Sequence, residues 1–526
     1  MNFPVTFSHL SLCWPDGTVV LDDISATFNT GRTGLIGTNG SGKTTILRLI
    51  NGDLTPTYGQ LNLAGTVAYL PQVIALPPTA TLADLLGVRE KLEALSAIES
   101  GSTDPDDYET LGDDWEIIDR VNEILRQFDI LGGSLAQAAL DRPIATLSGG
   151  ETMVAAIAGC RLNPATITLL DEPTNNLDRV LRQAVMEMVR TWPGTLIVVS
   201  HDIGLLDQMD SIAEIYSGVL TVFGGSFSEW QAALAVEQAA AQQAEKSAAQ
   251  QVRTAKRVRA ETLERTARHL ARGKAKAIGE GLGKSARNFM RDTAEAGVAR
   301  DRGTTKDRVS EAQASLATAS ERVRRSEPIQ IDLPDPGVHA SKQILTLTTA
   351  TTEFILSGPE RVALAGRNGV GKTTLIESLL GRRDWSGTTT ARGELFTEQI
   401  GYLPQRFDLL DETASALDNV SARAPHATQA NLRAGLARLL LRGDTVFRPV
   451  ASLSGGERFR VALACLLFAE PPPQLLILDE PTNNLDLTSV DQLVEALSSY
   501  RGAILIVSHD PTFLDRLGVT TIIELP

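Results

Sequence analysis

The chain contains an internal repeat, and this repeat restricts its fold more than any other feature of the sequence. GTNGSGKTT at residues 37–45 recurs as GRNGVGKTT at residues 366–374, and LLDEPTNNLD at residues 169–178 recurs as ILDEPTNNLD at residues 477–486. Segments that read YLPQ, LSGGE and VSHD also occur twice, in the same order in both halves. A fixed order of recurring motifs indicates two copies of one domain. The 526 residues leave room for a further region between them.

The two copies differ in the segment between the YLPQ and LSGGE motifs. Gln72 precedes Ser148 by 76 positions, whereas Gln405 precedes Ser454 by 49, so the first copy contains 27 additional residues. We expect the surplus near residues 88–119, as a short arm-like insertion around the acidic stretch SGSTDPDDYETLGDDW. A surface loop is the expected structure, and a short helical excursion that touches a partner is the alternative.

The region between the copies, residues 233–328, has a composition of its own. Ala, Gln, Glu and Arg dominate about fifty residues, which favours an α-helix of ~75 Å if it is continuous. Three glycines at 279–283 interrupt this pattern, and a weaker helical pattern follows over residues 285–325. The sequence therefore predicts a long α-helical hairpin linker between domains at residues 1–232 and 329–526.

Basic residues are concentrated in this linker. The whole chain has a net charge of -15, which argues against a nucleic-acid binder unless its basic residues are gathered in one place. Residues 251–325 contain 19 Lys and Arg against 9 Asp and Glu. A solvated helical hairpin would also carry many charges, but a two-to-one excess of one sign favours contact with a polyanion. The basic side chains nearest the predicted turn are Arg272, Lys274, Lys276, Lys284, Arg287 and Arg291.

The cysteine content and the apolar segments exclude several protein classes. Cys13, Cys160 and Cys465 lie far apart in the sequence, which argues against a disulfide framework, a local zinc finger and an iron–sulfur ligand set. The first residues lack the charged and apolar regions of a secretory signal. No uninterrupted apolar run reaches ~18 residues. A cytoplasmic protein without a membrane span of its own is therefore expected.

Each GxxxxGKT segment follows an apolar strand and precedes a helical pattern, which is the context of a P-loop in an α/β fold. Glycines allow backbone N–H groups to close around phosphates at a helix N-terminus. Lys43 and Lys372 are expected to reach the β- and γ-phosphates, and Thr44 and Thr373 to bind Mg²⁺. The ATP contacts predicted from the two P-loops are Gly37, Asn39, Gly40, Ser41, Gly42, Lys43, Thr44, Thr45, Gly366, Asn368, Gly369, Val370, Gly371, Lys372, Thr373 and Thr374.

Two acidic residues end the next apolar strand in both copies. Asp171 and Asp479 are suited to the magnesium shell, and Glu172 and Glu480 are placed where a carboxylate can polarise an attacking water. A capping role for the aspartates is less favoured because both copies keep both acids. His201 and His509 each follow a later apolar strand, and their identical settings favour a role in positioning or sensing the γ-phosphate over a purely structural one.

These motifs, in this order, resemble the ATP-binding cassette superfamily: Walker A, Q-loop, LSGGE signature, Walker B, D-loop and H-switch. The resemblance implies that two nucleotide-binding domains pair head to tail, with each ATP between the Walker motifs of one and the signature of the other. It adds Gln72 and Gln405 to the ATP and metal ligands, and Trp14 as an aromatic under adenine. Phe354 is a poor match for the corresponding aromatic of the second copy. The signature residues implied to contact ATP are Ser148, Gly149, Gly150, Glu151, Ser454, Gly455, Gly456 and Glu457.

Two cassettes joined by a long charged linker resemble the ABC-F subfamily, although Asn176 and Asn484 stand where that subfamily more often has His. The resemblance implies a monomeric ATPase that uses ATP and Mg²⁺ and binds the ribosome. The linker would reach towards the peptidyl-transferase centre, with ribosomal RNA or peptidyl-tRNA near its basic residues. Antibiotic resistance and regulation of translation are both open, and an ATPase subunit of a membrane drug exporter is the alternative class.

The signatures continue differently, as Thr152-Met153-Val154 in the first copy and Arg458-Phe459-Arg460 in the second. The basic residues usual in this region of the subfamily are therefore missing from the first copy. We expect the two ATP sites to hydrolyse at different rates.

Overall fold

The computed structural model describes residues 5–77, 79–128, 140–279, 284–324, 333–349, 352–384, 391–405, 409–483 and 485–525. The chain divides into two compact units. Met1–Phe227 and Pro328–Pro526, which contain both motif repeats, form one unit, and Ser228–Glu327 forms the other.

The first repeat is an α/β domain. Its strands are β1 (Val5–Cys13), β2 (Val19–Phe28), β3 (Gly31–Gly37), β4 (Tyr58–Leu63), β5 (Val67–Leu70), β6 (Ile167–Asp171), β7 (Thr195–Val199), β8 (Ser211–Tyr216) and β9 (Val219–Gly224). Its helices are α1 (Lys43–Asn51), α2 (Leu82–Leu85), α3 (Arg89–Glu99), α4 (Pro105–Leu111), α5 (Ile117–Gln127), α6 (Gly149–Leu162), α7 (Arg179–Arg190) and α8 (Ile203–Leu206).

A mainly parallel sheet with the order β5-β6-β7-β3-β8-β9 forms the centre of this domain. Every residue of β6 and of β7 is buried, as expected for strands of a parallel sheet covered on both faces. Asp171, the last residue of β6, pairs with Val199, the last residue of β7. The carboxyl ends of β3, β6 and β7 therefore meet at one edge, where open α/β sheets bind ligands.

A second, antiparallel sheet of the order β2-β1-β4 packs over α1 and the parallel sheet. Phe7 and Phe28 meet edge to face inside this layer, with ring centroids 5.6 Å apart. Trp14 lies in the turn between β1 and β2, where its N–H donates to the Thr18 carbonyl at 2.8 Å. This layer therefore carries the Trp14 turn towards the P-loop.

The segment that distinguishes the first repeat is helical. Residues 89–127 form α3, α4 and α5, and the expectation of a surface loop is therefore wrong. Asp104 caps α4, accepting from the Asp106 N–H at 3.1 Å, and Pro105 occupies the first helical position. Acidic, turn-forming residues at a helix start favour a helix as readily as a loop, so composition alone misled the prediction.

The second unit consists of the linker helices α9 (Phe227–Gly279) and α10 (Lys284–Glu321). Gln238 of α9 accepts from the Arg324 N–H at 2.7 Å, and Ser320 Oγ donates to Glu245 Oε1 at 2.8 Å. Positions early in α9 thus contact positions at the end of α10, so the helices run antiparallel and the predicted hairpin is confirmed. Gly303 lies inside α10 and does not interrupt the helix.

The second repeat has the same architecture. Its strands are β10 (Gln343–Thr348), β11 (Glu353–Ser357), β12 (Arg361–Ala365), β13 (Arg392–Leu395), β14 (Ile400–Leu403), β15 (Leu475–Asp479), β16 (Ala503–Val507) and β17 (Thr521–Glu524). Its helices are α11 (Lys372–Leu379), α12 (Ala416–Arg423), α13 (Gln429–Arg438), α14 (Gly455–Leu467), α15 (Leu487–Ser498) and α16 (Pro511–Arg516). The parallel sheet has the order β14-β15-β16-β12-β17, and the antiparallel sheet β11-β10-β13.

The predicted fold class, two α/β P-loop domains joined by a long helical linker, is confirmed. Across the residues with assigned structure, every helix is too short or too polar to cross a bilayer.

Candidate ATP sites between the cassettes

The first P-loop is built by glycines that adopt conformations other residues avoid. Gly40 has φ 82° and Gly42, which precedes α1, has φ 99°. A Cβ on Gly37 would lie 2.7 Å from Ser41 Oγ and 2.8 Å from the Ile215 carbonyl oxygen. The loop therefore needs glycine at these positions and leads directly into the N-terminus of α1, where backbone N–H groups can bind phosphate.

Buried polar groups inside the loop fit a phosphate ligand. Ser41 Oγ is buried and has no hydrogen-bond partner among the described residues. Lys43 is 8% exposed, and its Nζ donates to the carbonyls of Gly37 at 2.7 Å and Thr38 at 3.2 Å. Burial lowers the pKa of Lys43, although the charges of Glu172, Asp486 and Asp171 act in the opposite direction. An anion in the loop would compensate this buried ammonium.

The second P-loop repeats this arrangement with one difference. Lys372 Nζ donates to the carbonyls of Gly366 at 2.7 Å and Arg367 at 3.2 Å. Gly369 and Gly371 have φ 81° and 98°. Val370 stands where the first loop has Ser41, so the second loop lacks that side-chain hydroxyl. Both loops thus hold the lysine on two backbone carbonyls, and only the first loop has a side-chain hydroxyl at the position of Ser41.

A hydroxyl and a carboxylate lie together at each candidate metal position. Thr44 Oγ1 donates to Asp171 Oδ2 at 2.9 Å, and Thr373 Oγ1 donates to Asp479 Oδ2 at 2.9 Å. Burial raises the pKa of Asp171 and Asp479, partly offset by these hydrogen bonds and by the P-loop lysines. A hydroxyl and a carboxylate at one place supply the hard oxygen donors that Mg²⁺ prefers. Gln72 lines the same cavity as Thr44 and Asp171.

Both candidate catalytic glutamates occupy strained backbone positions. Glu172 has φ 51° and Glu480 φ 48°, in the left-handed region that non-glycine residues rarely adopt. The Glu172 N–H donates to the Val199 carbonyl and the Glu480 N–H to the Val507 carbonyl, both at 2.8 Å. Such conformations cost about 1–3 kcal/mol and persist where the surrounding structure enforces them, often at active sites. The neighbouring strand end therefore fixes the glutamate beside the metal aspartate.

The histidines of the H-switch contact these glutamates. His201 Nε2 lies 3.3 Å from Glu172 Oε1, and His509 Nε2 lies 3.4 Å from Glu480 Oε1. Burial raises the pKa of both glutamates to about 8, against the opposing charge of the P-loop lysines. Burial also lowers the pKa of His201 to about 3 and of His509 to about 4. Both imidazoles are therefore neutral at pH 7 and can donate one hydrogen bond and accept another.

Each P-loop contacts the D-loop of the other cassette. The Asn39 N–H donates to Asp486 Oδ2 at 2.7 Å, and the Asn368 N–H donates to Asp178 Oδ2 at 3.2 Å. These two bonds are equivalent under exchange of the repeats, which is the arrangement of a head-to-tail pair. The cassettes of this chain thus pair with each other.

Asn176 adds polar contacts to one side of this interface. Its carbonyl accepts from Asn368 Nδ2 at 2.8 Å, and its side-chain oxygen accepts from Asn483 Nδ2 at 2.9 Å and from Gln405 Nε2 at 3.3 Å. Asn176 has φ 58°, a conformation that Asn tolerates better than most residues. Asn484, its counterpart, lies outside the described residues. Asn176 therefore joins the D-loop of one cassette to the P-loop and Q-loop of the other.

The signature segments cap the helices that follow them. Ser148 Oγ accepts from the Glu151 N–H while Glu151 Oε2 accepts from the Ser148 N–H at 2.7 Å, and Ser454 with Glu457 repeats this capping box. A Cβ on Gly150 would lie 2.8 Å from Leu181 of α7. Glycine at that position thus allows the signature helix to approach α7 closely.

The two predicted combinations of a P-loop with the opposite signature differ in the structure. A cavity of about 460 Å³ joins the first signature to the second P-loop; its lining includes Ser148, Gly149, Gly150, Gly369, Gly371, Lys372, Thr373, Thr374, Gln405, Asp479, Glu480 and His509. A cavity of about 750 Å³ surrounds the first P-loop and is lined by Trp14, Gln72, Asp171, Glu172 and His201. In the described part of the chain, Ser454, Gly455, Gly456 and Glu457 do not line this second cavity.

The residues predicted to contact adenine and RNA lie in different parts of the chain. Trp14 is 36% exposed and lines the cavity of the first P-loop, and its contact with adenine stays a prediction. Phe354, on β11, packs against the second core and lines a separate cavity with Leu347. Arg272 is exposed on α9. The other basic residues near the turn belong to α9 or α10, and their side chains lie outside the described part of the structure.

Several residues of these sites escaped sequence reasoning. Tyr69 approaches Asp171 Oδ2 at 3.5 Å through its hydroxyl, and Arg182 of α7 donates to a carbonyl of the other cassette. Comparison of the repeats position by position would have revealed Arg182, because Val490 replaces it in the second copy. Tyr69 belongs to the repeated YLPQ segment and could have been found there.

Comparison with known proteins agrees with this geometry. The family described as ABC transporter matches residues 21–175 and 350–483. The probable ATP-binding protein YheS of Haemophilus influenzae is 31% identical over 96% of this chain and 77% of its own length. The tylosin resistance ATP-binding protein TlrC of Streptomyces fradiae is 30% identical over 95% of this chain and 94% of its own. The ABC transporter F family member 5 of Arabidopsis thaliana is 27% identical over 97% and 73%.

A solved structure shares the fold across most of the chain. The structure titled as a model of ribosome-bound archaeal Pelota and ABCE1 superposes with a TM-score of 0.53 at 18% identity, over 96% of this chain and 74% of that one. The chain therefore belongs to the ATP-binding cassette family and is an ATPase. The resemblance to its ABC-F subfamily is confirmed by the twin-cassette relatives.

Proposed function

We propose that this ATPase binds the ribosome when ATP holds its cassettes together, and that its linker then reaches towards the peptidyl-transferase centre. Its role would be ribosomal protection against an antibiotic or regulation of translation. The observation that carries the proposal is the reciprocal pairing of both P-loops with the opposite D-loops within one chain, through Asn39 with Asp486 and Asn368 with Asp178. A switch built this way needs no second subunit to close.

The geometry suggests how hydrolysis proceeds at each site. The P-loop N–H groups and Lys43 or Lys372 bind the phosphates of ATP. Thr44 with Asp171, or Thr373 with Asp479, would hold Mg²⁺, which neutralises phosphate charge when bound. Glu172 or Glu480 accepts a proton from the attacking water, and the neutral His201 or His509 orients it.

The raised glutamate pKa links this chemistry to cation binding. A carboxyl group with a pKa of about 8 is mostly protonated at pH 7 and is then a poor base. A cation beside Asp171 or Asp479 favours the ionised glutamate through its charge. The base would therefore become active only in a loaded site, which limits proton transfer to the ATP-bound state.

Closure couples this chemistry to the ribosome. ATP between a P-loop and the opposite signature would stabilise the paired cassettes, and loss of the γ-phosphate would release them. The paired state would present the basic linker, whose excess of Lys and Arg suits the phosphate backbone and shape of folded RNA. The similarity to a tylosin resistance protein and to a ribosome-bound ATPase supports this partner.

Co-sedimentation with ribosomes tests the proposal. Glu172→Gln/Glu480→Gln keeps the shape of the site but removes both bases, so ATP should trap the closed state. We expect the double variant to pellet with ribosomes in ATP and to remain in the supernatant without nucleotide. Equal pelleting in both conditions, or no pelleting in either, would contradict the proposal.

A further inference from the structure

Arg182 occupies a buried position at the junction of the two cassettes. It lies on α7, four residues after the D-loop Asp178, and its side chain is 13% exposed. Its Nε donates to Asp202 Oδ2 at 2.6 Å and its Nη2 to Asp202 Oδ1 at 2.5 Å. This two-point geometry holds a guanidinium in one orientation. Asp202 directly follows His201, so Arg182 is tied to the H-switch of the first cassette.

The remaining nitrogen of Arg182 reaches the other cassette. Nη1 donates to the carbonyl oxygen of His509 at 2.8 Å. His509 Nε2 in turn lies 3.4 Å from Glu480 Oε1 and 3.0 Å from Lys372 Nζ. A chain of direct contacts therefore connects Asp202, through one guanidinium, to the histidine beside the second candidate base.

The second cassette has no arginine at the equivalent position. Val490 follows Asp486 by four residues, as Arg182 follows Asp178, and a valine side chain cannot donate a hydrogen bond. Asp510 corresponds to Asp202, and both carboxylates cap the helix that follows, Asp202 through the Leu205 N–H and Asp510 through the N–H groups of Thr512 and Phe513. Asp202 differs in that it also accepts from a guanidinium. An exact repeat would have an arginine at both positions, whereas this chain has one only at position 182.

The surrounding carboxylates stabilise the positive charge of Arg182. Burial works against the ionised guanidinium, but the hydrogen bonds and charge of Asp202, with the charge of Asp510, raise the net pKa of Arg182. A carboxylate from each cassette therefore stabilises the same cation. Hydrogen bonds that involve a charged donor are about twice as strong as neutral ones, so the contact to the His509 carbonyl is expected to be firm.

We propose that Arg182 is a positioning residue that makes hydrolysis at the Glu480 site depend on the H-switch of the first cassette, without the reverse dependence. The proposal rests on the roles given above to Glu480 and His509. Movement of Asp202 would shift the guanidinium and with it the His509 backbone. The ring that orients water beside Glu480 would then lose its position.

Steady-state ATPase assays of the full chain without ribosomes test this dependence. Glu172→Gln leaves only the Glu480 site active, and Glu480→Gln leaves only the Glu172 site. Adding Arg182→Gln should lower kcat of the Glu480 site about tenfold with little change in KM, and should alter the Glu172 site by less than about twofold. An equal loss at both sites, or no loss at either, would overturn the proposal.

Three further variants separate positioning from folding. Arg182→Lys keeps the charge but offers an ammonium in place of a planar fork, so a loss of about threefold at the Glu480 site is expected; full activity would count against the proposal. Arg182→Gln/Asp202→Asn leaves no unpaired buried charge and should keep the kcat defect with a near-normal unfolding temperature. If kcat recovers in that double variant, the defect of Arg182→Gln comes from the unpaired Asp202 carboxylate and not from lost positioning, and the proposal fails.

Arg190→Gln, at the exposed end of α7, is the matched control and should leave both activities unchanged.

These assays are independent of ribosome binding. If Glu172→Gln/Glu480→Gln still hydrolyses ATP, the assignment of the bases fails. If that variant is inactive but ignores ribosomes, the ribosome proposal fails while the effect of Arg182 can still be measured.

Discussion

The two cassettes share the geometry of their Walker acids but differ in some of the contacts that each makes with the other. The hydrogen bond between threonine and the metal aspartate is 2.9 Å in both, and both candidate bases have φ near 50°. Across the interface, by contrast, Arg182 faces the second cassette whereas Val490 holds the equivalent place. Duplication has thus kept the chemistry of the site and changed its coupling.

The signature helices show the same distinction. Arg460 of α14 is half-buried and donates to Gln492 at 3.2 Å, while Arg458 pairs with Glu412. The first signature helix has Thr152 and Val154 at these positions, and the Thr152 hydroxyl donates to its own helix at 3.0 Å. Two basic side chains of the second signature helix therefore have no basic counterpart at the same positions of the first, and we predict unequal ATP sites on this difference.

The largest expected effect comes from the candidate bases. Glu172→Gln/Glu480→Gln should lower kcat for ATP hydrolysis by about 10²-fold or more, because no carboxylate remains to accept the proton of water. The single variants should retain unequal activities, measured as phosphate release at saturating ATP. Equal activities of the two single variants would contradict the expectation that the two ATP sites hydrolyse at different rates.

The linker is expected to affect binding and not chemistry. Replacing its six basic residues nearest the turn by Gln should weaken ribosome binding about 10²-fold and flatten its salt dependence, because each lost phosphate contact removes about 0.7–0.9 from the slope of log K against log salt. ATPase activity without ribosomes should stay within about twofold. Salt-titrated co-sedimentation measures the first effect, and an unchanged slope would exclude phosphate contacts at these positions.

Deletion of residues 272–291 distinguishes the two protein classes considered. The deletion should abolish cellular function if the partner is the ribosome, because the linker would no longer reach the RNA. A chain that energises an exporter would keep ATP-driven efflux, measured with a transported drug in cells. Retained efflux would favour the exporter.

A smaller effect is expected from Asn176, which contacts the second cassette's P-loop and Q-loop. Asn176→Gly keeps the left-handed backbone and the carbonyl but removes the side-chain oxygen that accepts from Asn483 and Gln405. Turnover at the Glu480 site should fall about threefold, measured in the Glu172→Gln background. A larger loss at the Glu172 site would reverse the assigned direction of coupling.

The smallest effect concerns stability. The pKa of Glu172 and of Glu480 rises from the ordinary 4.5 to about 8 in the folded chain, so the folded state binds protons more readily than the unfolded state. The free energy of unfolding should therefore decrease as the pH rises from 4.5 towards 8. Each Glu→Gln substitution should therefore stabilise the nucleotide-free chain more at pH 8 than at pH 5. Thermal unfolding at pH 5 and pH 8 tests this, and a stabilisation that is equal at both values would contradict it.

The sequence predicted the fold class and the grouping of both P-loops with their acids, because glycine patterns, apolar strands and repeated order carry that information locally. It misassigned the segment near residues 88–119 as a loop, since acidic turn-forming residues also start helices. It could not predict that Asn176 accepts from three residues of the other cassette, or that Arg182 reaches His509. Those contacts depend on how two folded surfaces meet, and no local spacing records them.

The affinity of Glu172→Gln/Glu480→Gln for ribosomes in ATP and in ADP, at one salt concentration, tests the central claim most directly. If triphosphate closes the paired cassettes into the binding form, ATP should tighten binding at least about tenfold, which is ~1.4 kcal/mol. The same affinity with both nucleotides would show that closure of this interface does not control binding to the ribosome.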